Sequence, residues 1–277
     1  MEILTLNAPA KINLGLNIVS KRNDGFHNIE TFFYPITGLH DKLIFEKSNH
    51  FIFDSNNNDL NKDPDNLIHK AHSLIEELIN KKLPVKITLV KTIPIGAGLG
   101  GGSSDAAATL LGLNEFFNLE IGIKNLNELA LKLGSDVPFF IKSKPAVGYS
   151  RGEVLSNSNV YIEHPILIVN PGIHISTKDA FANISPKVGE FKYSYFLDND
   201  EVDYSFLKRE LTNDFENFVF SSFSSVKNIK QIMIDSDSLF TLMSGTGSTV
   251  YGIFESLEDA QRTSDKLPDN YFKFISM

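Results

Sequence analysis

Cysteine is absent from this chain. Its absence excludes disulfides, thiolate metal sites, iron–sulfur clusters and a cysteine nucleophile, and leaves no sign of an oxidising compartment. Long apolar runs are missing too: no stretch approaches the ~18 consecutive apolar residues of a membrane span. The first residues, Glu2 and Pro9 among them, read as a strand rather than a signal peptide. Positive charge is in deficit, with 26 Lys and Arg against 34 Asp and Glu and a net charge of -8. Sequence-independent binding to nucleic acid or an anionic membrane needs clustered cations, so neither partner is expected. There is no internal repeat, and no low-complexity tract beyond Ser55 to Asn58. What remains is ordinary globular composition: 277 residues, 42% hydrophobic and 22% charged. The expectation is a cytoplasmic protein of one large or two small domains.

The hydrophobic pattern alternates between strand and helix periods, which gives an α+β class. Ile12, Leu14, Leu16 and Ile18 lie on one face of a strand, and Lys11 and Asn13 sit side by side on the other. Asn23-Asp24-Gly25 predicts a turn, with a returning strand from Ile29 to Ile36. Leu43 to Phe45 and Phe51 to Phe53 suggest a further hairpin. An amphipathic helix is predicted from Leu67 to Leu78, a strand from Val85 to Val90, and a short helix from Leu126 that stops at Gly134, with Pro138 just beyond. The second half opens with a strand at Ile166 to Val169. Helical stretches follow near 205–218 and 224–234, and 239–254 reads as strand, glycine turn, strand. A helix at 258–266 and a strand at 271–275 close the chain. The polar stretch from Ser185 to Asp203 is expected to be a variable loop. The domain boundary is expected near 155, dividing 1–155 from 156–277.

The placement of glycine carries the strongest local signal. Gly96, Gly98, Gly100, Gly101 and Gly102 lie between a predicted strand and a helix carrying Ala106, Leu110, Leu113 and Phe117. Without Cβ atoms, successive backbone N–H groups can converge on one anion, and a helix N-terminus adds partial positive charge. Ser103 is the expected N-cap, with Asp105 in the first turn. The segment Pro94, Ile95, Gly96, Ala97, Gly98, Leu99, Gly100, Gly101, Gly102, Ser103, Ser104 is therefore the candidate phosphate loop. It matches a dinucleotide GxGxxG formally, but no parallel strand with a ribose-binding acid follows. No Gly-Lys-Ser/Thr follows it, and the chain has no HRD or DFG triplet, so neither a Walker loop nor the protein-kinase set is present.

Three segments together, Pro9-Ala-Lys-Ile-Asn-Leu14, Pro94-Ile-Gly-Ala-Gly-Leu-Gly-Gly-Gly-Ser-Ser-Asp-Ala106 and Met243-Ser-Gly-Thr-Gly-Ser-Thr-Val-Tyr251, resemble the three motifs of the GHMP small-molecule kinases. That superfamily includes galactokinase, homoserine kinase and mevalonate kinase. Arg22-Asn-Asp-Gly-Phe-His27, Gly134-Ser-Asp-Val-Pro138 and Asn213-Asp-Phe-Glu216 narrow the resemblance to the branch that acts on a cytidine diphosphate–methylerythritol, in the non-mevalonate route to isoprenoid precursors. The resemblance implies a two-domain α+β fold: an N-terminal domain like ribosomal protein S5 domain 2 and a C-terminal ferredoxin-like domain. It implies ATP as co-substrate, with Mg²⁺, and phosphoryl transfer to a hydroxyl. The alternatives are another GHMP kinase, acting on homoserine, mevalonate or a sugar, and a nucleotide-binding protein without catalysis.

Lys11 and Asp136 match the family's reacting pair. Taken singly, each has a blander identity, a solvated strand lysine and a turn carboxylate. Beside each other, an ammonium would keep the carboxylate ionised and offset charge building on the phosphoryl oxygens. Phe26 and Phe181 match the aromatics that stack on the cytosine, His27 matches the residue that hydrogen-bonds its edge, and Asn13 matches a substrate-contacting asparagine. In a chain with 22 Phe, packing is the competing role for Phe181. The third motif is expected to close the site, with Thr246 where family members often have Ser. Magnesium ligands are not legible; Ser104, at the loop–helix junction, is the one weak candidate, since phosphates and water usually supply most of them.

Overall fold

A computed structural model describes residues 2–186, 189 and 191–277. The first half runs β1 (Ile3–Lys21), β2 (His27–Lys47), β3 (Ile52–Ser55), α1 (Asn58–Lys62), α2 (Leu67–Ile79) and β4 (Val85–Val90). After these come α3 (Gly101–Phe116), α4 (Ile123–Leu133), α5 (Val137–Lys142), β5 (Ala146–Tyr149) and β6 (Val154–Asn157). The second half runs β7 (Ile166–Asn170), α6 (Thr177–Ala182), α7 (Tyr195–Asp198), α8 (Tyr204–Glu210), α9 (Glu216–Ser222) and α10 (Ser224–Ile234). It ends with β8 (Phe240–Met243), β9 (Val250–Ile253), α11 (Leu257–Asp265) and β10 (Phe272–Ser276). The chain forms two compact units. One holds the chain up to Ala10, Leu39–Ile93 and Gly100–Ser143; the other holds Lys11–Gly38, Pro94–Leu99 and Lys144–Met277. Among the described residues no helix is long and apolar enough to cross a membrane.

In the first unit, β4 lies between β2 and β3. It pairs antiparallel with β2 (Leu43↔Leu89, Phe45↔Ile87) and parallel with β3 (Phe53↔Ile87). The hairpin expected from Leu43–Phe45 and Phe51–Phe53 is therefore not formed. Val85, Ile87 and Leu89 are buried, and a place between two strands shields that apolar face from water better than a place at the edge. Helices α2 to α5 pack on one another. Asn66 caps α2 by accepting from Ile68 N–H, and Asn80 ends it in the left-handed conformation. Helix α3 approaches β2 closely because Gly112 has no side chain: a Cβ there would lie 2.2 Å from the Phe45 ring.

The second unit contains an antiparallel sheet in the order β10-β7-β9-β8. Numbered along the chain these strands stand 4-1-3-2, with helices between the first and second and between the third and fourth, which is the ferredoxin-like βαββαβ arrangement. Helix α10 packs on β8 and β9, and α11 on β7 and β10. Between them Val169, Val226, Met233, Met243, Val250, Phe254 and Ala260 form an apolar core. The glycine turn between β8 and β9 was legible, and the pairing Phe240↔Ile253 to Met243↔Val250 is the expected hairpin.

Several local expectations are corrected. Helix α3 begins at Gly101, capped by the left-handed backbone of Gly100, so Ser103 lies inside it and does not cap. Glycines can enter a first turn as readily as a loop, which moved the start three residues upstream. Helix α4 does stop at Gly134, but Pro138 beyond it opens a further helix, α5, where its missing N–H is no loss. The helix expected over 205–218 is two, α8 and α9, broken at Leu211 to Phe215. The expected loop at 185–203 contains α7 and three buried aromatics, Phe191, Tyr193 and Phe196. Positions 187, 188 and 190 of that stretch lie outside the described residues.

Candidate active site

Lys11 and Asn13 occupy one face of β1, as alternation requires, and that face is buried. Lys11 is 3% exposed and Asn13 2%. A buried ammonium needs acceptors. Lys11 Nζ donates to Asn13 Oδ1 at 2.6 Å and to the Gly98 carbonyl at 3.0 Å, and lies 5.6 Å from the centroid of the Phe33 ring. Its backbone N–H donates to Leu99 O at 2.9 Å. Asn13 Nδ2 donates to Thr31 Oγ1, which donates in turn to Gly15 O.

The glycine loop meets the turn between β8 and β9 at backbone distance. Ser244 Oγ donates to Gly98 O at 2.9 Å and accepts from Asn13 N–H at 3.2 Å, and Thr249 N–H donates to Ala97 O. A Cβ on Gly98 would stand 2.3 Å from Ser244 O and 3.0 Å from Gly247 O, and Gly98 has φ of +78°. Only glycine meets both conditions. Asn213 supports the turn from beneath, its Nδ2 donating to Met243 O and Gly245 O, each at 2.8 Å. Thus parts of all three motif segments share one hydrogen-bonded junction.

The Asn213-Asp-Phe-Glu216 signature is scaffold. Asp214 accepts from Ile18 N–H, Phe215 is fully buried, and Glu216 pairs with Lys230 at 2.7 Å and accepts from Met243 N–H. Phe215 also sets Phe181, which meets it edge to face at 4.9 Å. On the other side Phe181 stacks on His27, centroids 4.9 Å apart and 21° from parallel. Burial, with Lys21 nearby, holds the His27 imidazole below its ordinary pKa. Phe26 is half exposed and lies instead under the Arg151 guanidinium, 3.9 Å from its ring.

In the other unit, Gly101, Gly102, Ser103 and Ser104 form the first turn of α3. Ser104 Oγ is buried and has no hydrogen-bond partner among the described residues. A buried orphan hydroxyl at the loop–helix junction fits a role toward a phosphate or its Mg²⁺. Among the described residues no cluster of three His, Asp or Glu could hold a metal on its own. Asp136 stands at the N-cap position of α5, half-buried, with its side chain not bonded to that helix's N–H groups.

Asp105, expected to face the helix dipole, instead pairs with Lys91. Lys91 Nζ lies 2.7 Å from Asp105 Oδ2 and 2.5 Å from Asp41 Oδ2, all three side chains being nearly inaccessible. Burial above all, with Asp41 adding repulsion against the pull of Lys91, raises Asp105 to about 7. Burial alone would lower Lys91; Asp105 and Asp41 outweigh it and raise its pKa. The residues missed in the sequence are Ser244, Thr31, Arg151, and Asp41 and Lys91 of this triad. Only Ser244 carried a signal, its place in the third motif.

Comparison with known proteins accords with this geometry. Residues 66–144 match the GHMP kinases N terminal domain, and residues 203–273 match GHMP kinases C terminal. The 4-diphosphocytidyl-2-C-methyl-D-erythritol kinase of Cytophaga hutchinsonii is 38% identical over 257 residues, covering 89% of this chain and 91% of that one. That of Chlorobium luteolum is 36% identical over 275 residues, covering 98% and 96%. A crystal structure of 4-(cytidine 5'-diphospho)-2C-methyl-D-erythritol kinase superposes with a TM-score of 0.84 at 31% identity, covering 99% of this chain and 98% of that one. Homoserine kinase from Cytophaga hutchinsonii shares the fold, with a TM-score of 0.79 at 16% identity and coverage of 100% and 95%. On these likenesses, spanning nearly its whole length, the chain belongs to the GHMP kinase family.

Proposed function

We propose that this protein transfers the γ-phosphoryl group of ATP to the 2-hydroxyl of 4-diphosphocytidyl-2-C-methyl-D-erythritol, giving the 2-phosphate and ADP, in the non-mevalonate route to isoprenoid precursors. The observation that carries it is the junction of Lys11, Asn13, Gly98 and Ser244, which joins parts of the three kinase motifs by hydrogen bonds. The names of the relatives support the choice of acceptor. In the same proposal 1–155 carries the phosphate loop and 156–277 is the second domain, in a cytoplasmic enzyme of small molecules.

The acceptor oxygen attacks the γ-phosphorus, the bond to the β–γ bridging oxygen breaks, and ADP leaves. In a loose transition state little proton transfer is needed early, so positioning and charge dominate. Asp136 orients the hydroxyl and receives its proton. Lys11, held by two acceptors, aims one positive charge at the oxygens that gain charge. The N–H groups of Gly96 to Gly102 and the start of α3 cradle the phosphates. Ser104 would help hold a Mg²⁺ bound with ATP, which would supply charge to shield the phosphates. His27 and Phe181 offer a flat ring and a hydrogen-bonding edge to cytosine, with Phe26 stacking from the other side and Asn13 contacting the acceptor.

Incubation with Mg·ATP and the diphosphocytidyl acceptor, followed by ³¹P NMR, tests this. A new phosphomonoester resonance and stoichiometric ADP are expected. Turnover of homoserine, mevalonate or galactose in its place would overturn the acceptor assignment, and ATP binding without turnover of any acceptor would overturn catalysis.

A further inference from the structure

The chain enters and leaves the glycine loop by two stems, and both stems belong to one compact unit. The upstream stem is Lys91 to Ile93, leaving β4. The downstream stem is the first turns of α3, from Gly101 to Asp105. Both meet at one buried group of charges. Asp41 Oδ1 accepts from the backbone N–H of Thr92 at 2.6 Å and of Ile93 at 2.8 Å, and its Oδ2 takes the Lys91 ammonium. The same ammonium reaches across to Asp105 on α3. A Cβ on Gly101 would stand 2.9 Å from Lys91 Nζ and 3.1 Å from Ile93 Cγ2, so the two stems are in contact.

These charges are not needed for burial. A buried ion pair contributes little stability compared with apolar residues of the same volume, and this group carries two acids for one base. What it supplies is direction: two backbone N–H bonds and two charge-assisted bonds with fixed geometry. We propose that Asp41, Lys91 and Asp105 are positioning residues for nucleotide binding, an ion triad that sets the separation and angle of the stems and so the direction of the N–H groups that open α3. The inference rests on the kinase function proposed above for its ligand, ATP, but on no particular acceptor. None of the three is a catalytic residue; each acts through the loop backbone.

The test replaces Asp105 in two ways. Asp105→Asn keeps shape and an acceptor for Lys91, whereas Asp105→Leu keeps volume and removes the acceptor. ATP affinity is measured by titration calorimetry without acceptor, and KM for each substrate with kcat in the kinase assay. Asp105→Leu is expected to weaken ATP binding and raise its KM by at least ~10-fold, with acceptor KM and kcat within ~2-fold. Asp105→Asn is expected to stay within ~3-fold of the parent in all of them. Unchanged ATP affinity in folded Asp105→Leu overturns the proposal. So does a parallel rise in both KM values, which marks general loosening, and so does an Asn variant as weak as the Leu one. If Asp105→Leu fails to fold, Lys91→Met/Asp105→Leu, which removes the cation with its anion, is judged by the same criteria, and its failure to fold too overturns a role confined to the loop. A parent chain that binds ATP but leaves the diphosphocytidyl acceptor untouched refutes the function proposed above while this inference stands; one that binds no ATP refutes both.

Discussion

The ammonium of Lys11 donates to the carbonyl oxygen of Gly98 at 3.0 Å. The proposed catalytic cation is thus also a brace of the glycine loop. Gly98 O keeps a second donor in Ser244 Oγ, so loss of the lysine leaves the carbonyl satisfied and the loop partly held. Lys11→Ala is therefore expected to lower kcat by more than ~100-fold and to weaken ATP binding only a few-fold. Asp136→Asn should lower kcat as much with ATP affinity intact. Near-normal kcat in either variant, measured at saturating substrates, removes that residue from the mechanism.

Gly98 and Gly102 form a contrast within the loop motif. A Cβ on Gly98 collides with backbone at 2.3 Å, while Gly102 has nothing within 4 Å of its added Cβ. Gly98→Ala should disrupt the junction with the β8–β9 turn, lowering the melting temperature and abolishing ATP binding. Gly102→Ala, in the first turn of α3, should be neutral or stabilising by up to ~1 kcal/mol. Equal behaviour of the two in thermal unfolding would contradict the packing described.

Phe181 faces two ways, onto His27 and onto buried Phe215. Phe181→Ala would mix lost stacking with a core cavity. Phe181→Leu fills most of the space but has no flat face. It should cost ~1–3 kcal/mol of acceptor binding, about five- to 150-fold, at little cost in melting temperature. Phe26→Ala, at the exposed ring under Arg151, should weaken the acceptor comparably without destabilising the fold. ATP affinity should not move in either. A Phe181→Leu variant with normal acceptor KM would assign Phe181 to packing alone.

Stability should carry the signature of Asp105. Its folded carboxyl, at about 7, holds a proton at pH values where the unfolded carboxyl has lost it. The folded chain then binds more protons, so stability declines as pH rises from about 4 through about 7. Asp105→Asn lacks this response. Its urea midpoint relative to the parent should rise steadily over that range and level off above it. A difference independent of pH would show that Asp105 is ionised throughout.

Elements whose pattern is local were legible in the sequence. Helices α2, α10 and α11 and strands β4 and β10 stand where period 3.6 or period 2 puts them, because an amphipathic segment carries its own record of which face is buried, and β7 stands where an unbroken apolar run puts it. The motif segments were legible too, since closely spaced glycines stand out in a linear sequence. Alternation along β1 also put Lys11 and Asn13 on one face, but it could not say what covers that face. The cover comes from Gly98 and Ser244, at separations of 87 and 231 residues. The insertion of β4 beside β3, the turn of Asp105 toward Lys91 and the stacking of His27 on Phe181 are decisions of the same kind. Each depends on which distant group arrives to satisfy a buried charge, an open strand edge or a ring face, and a one-dimensional pattern records the need without naming the partner.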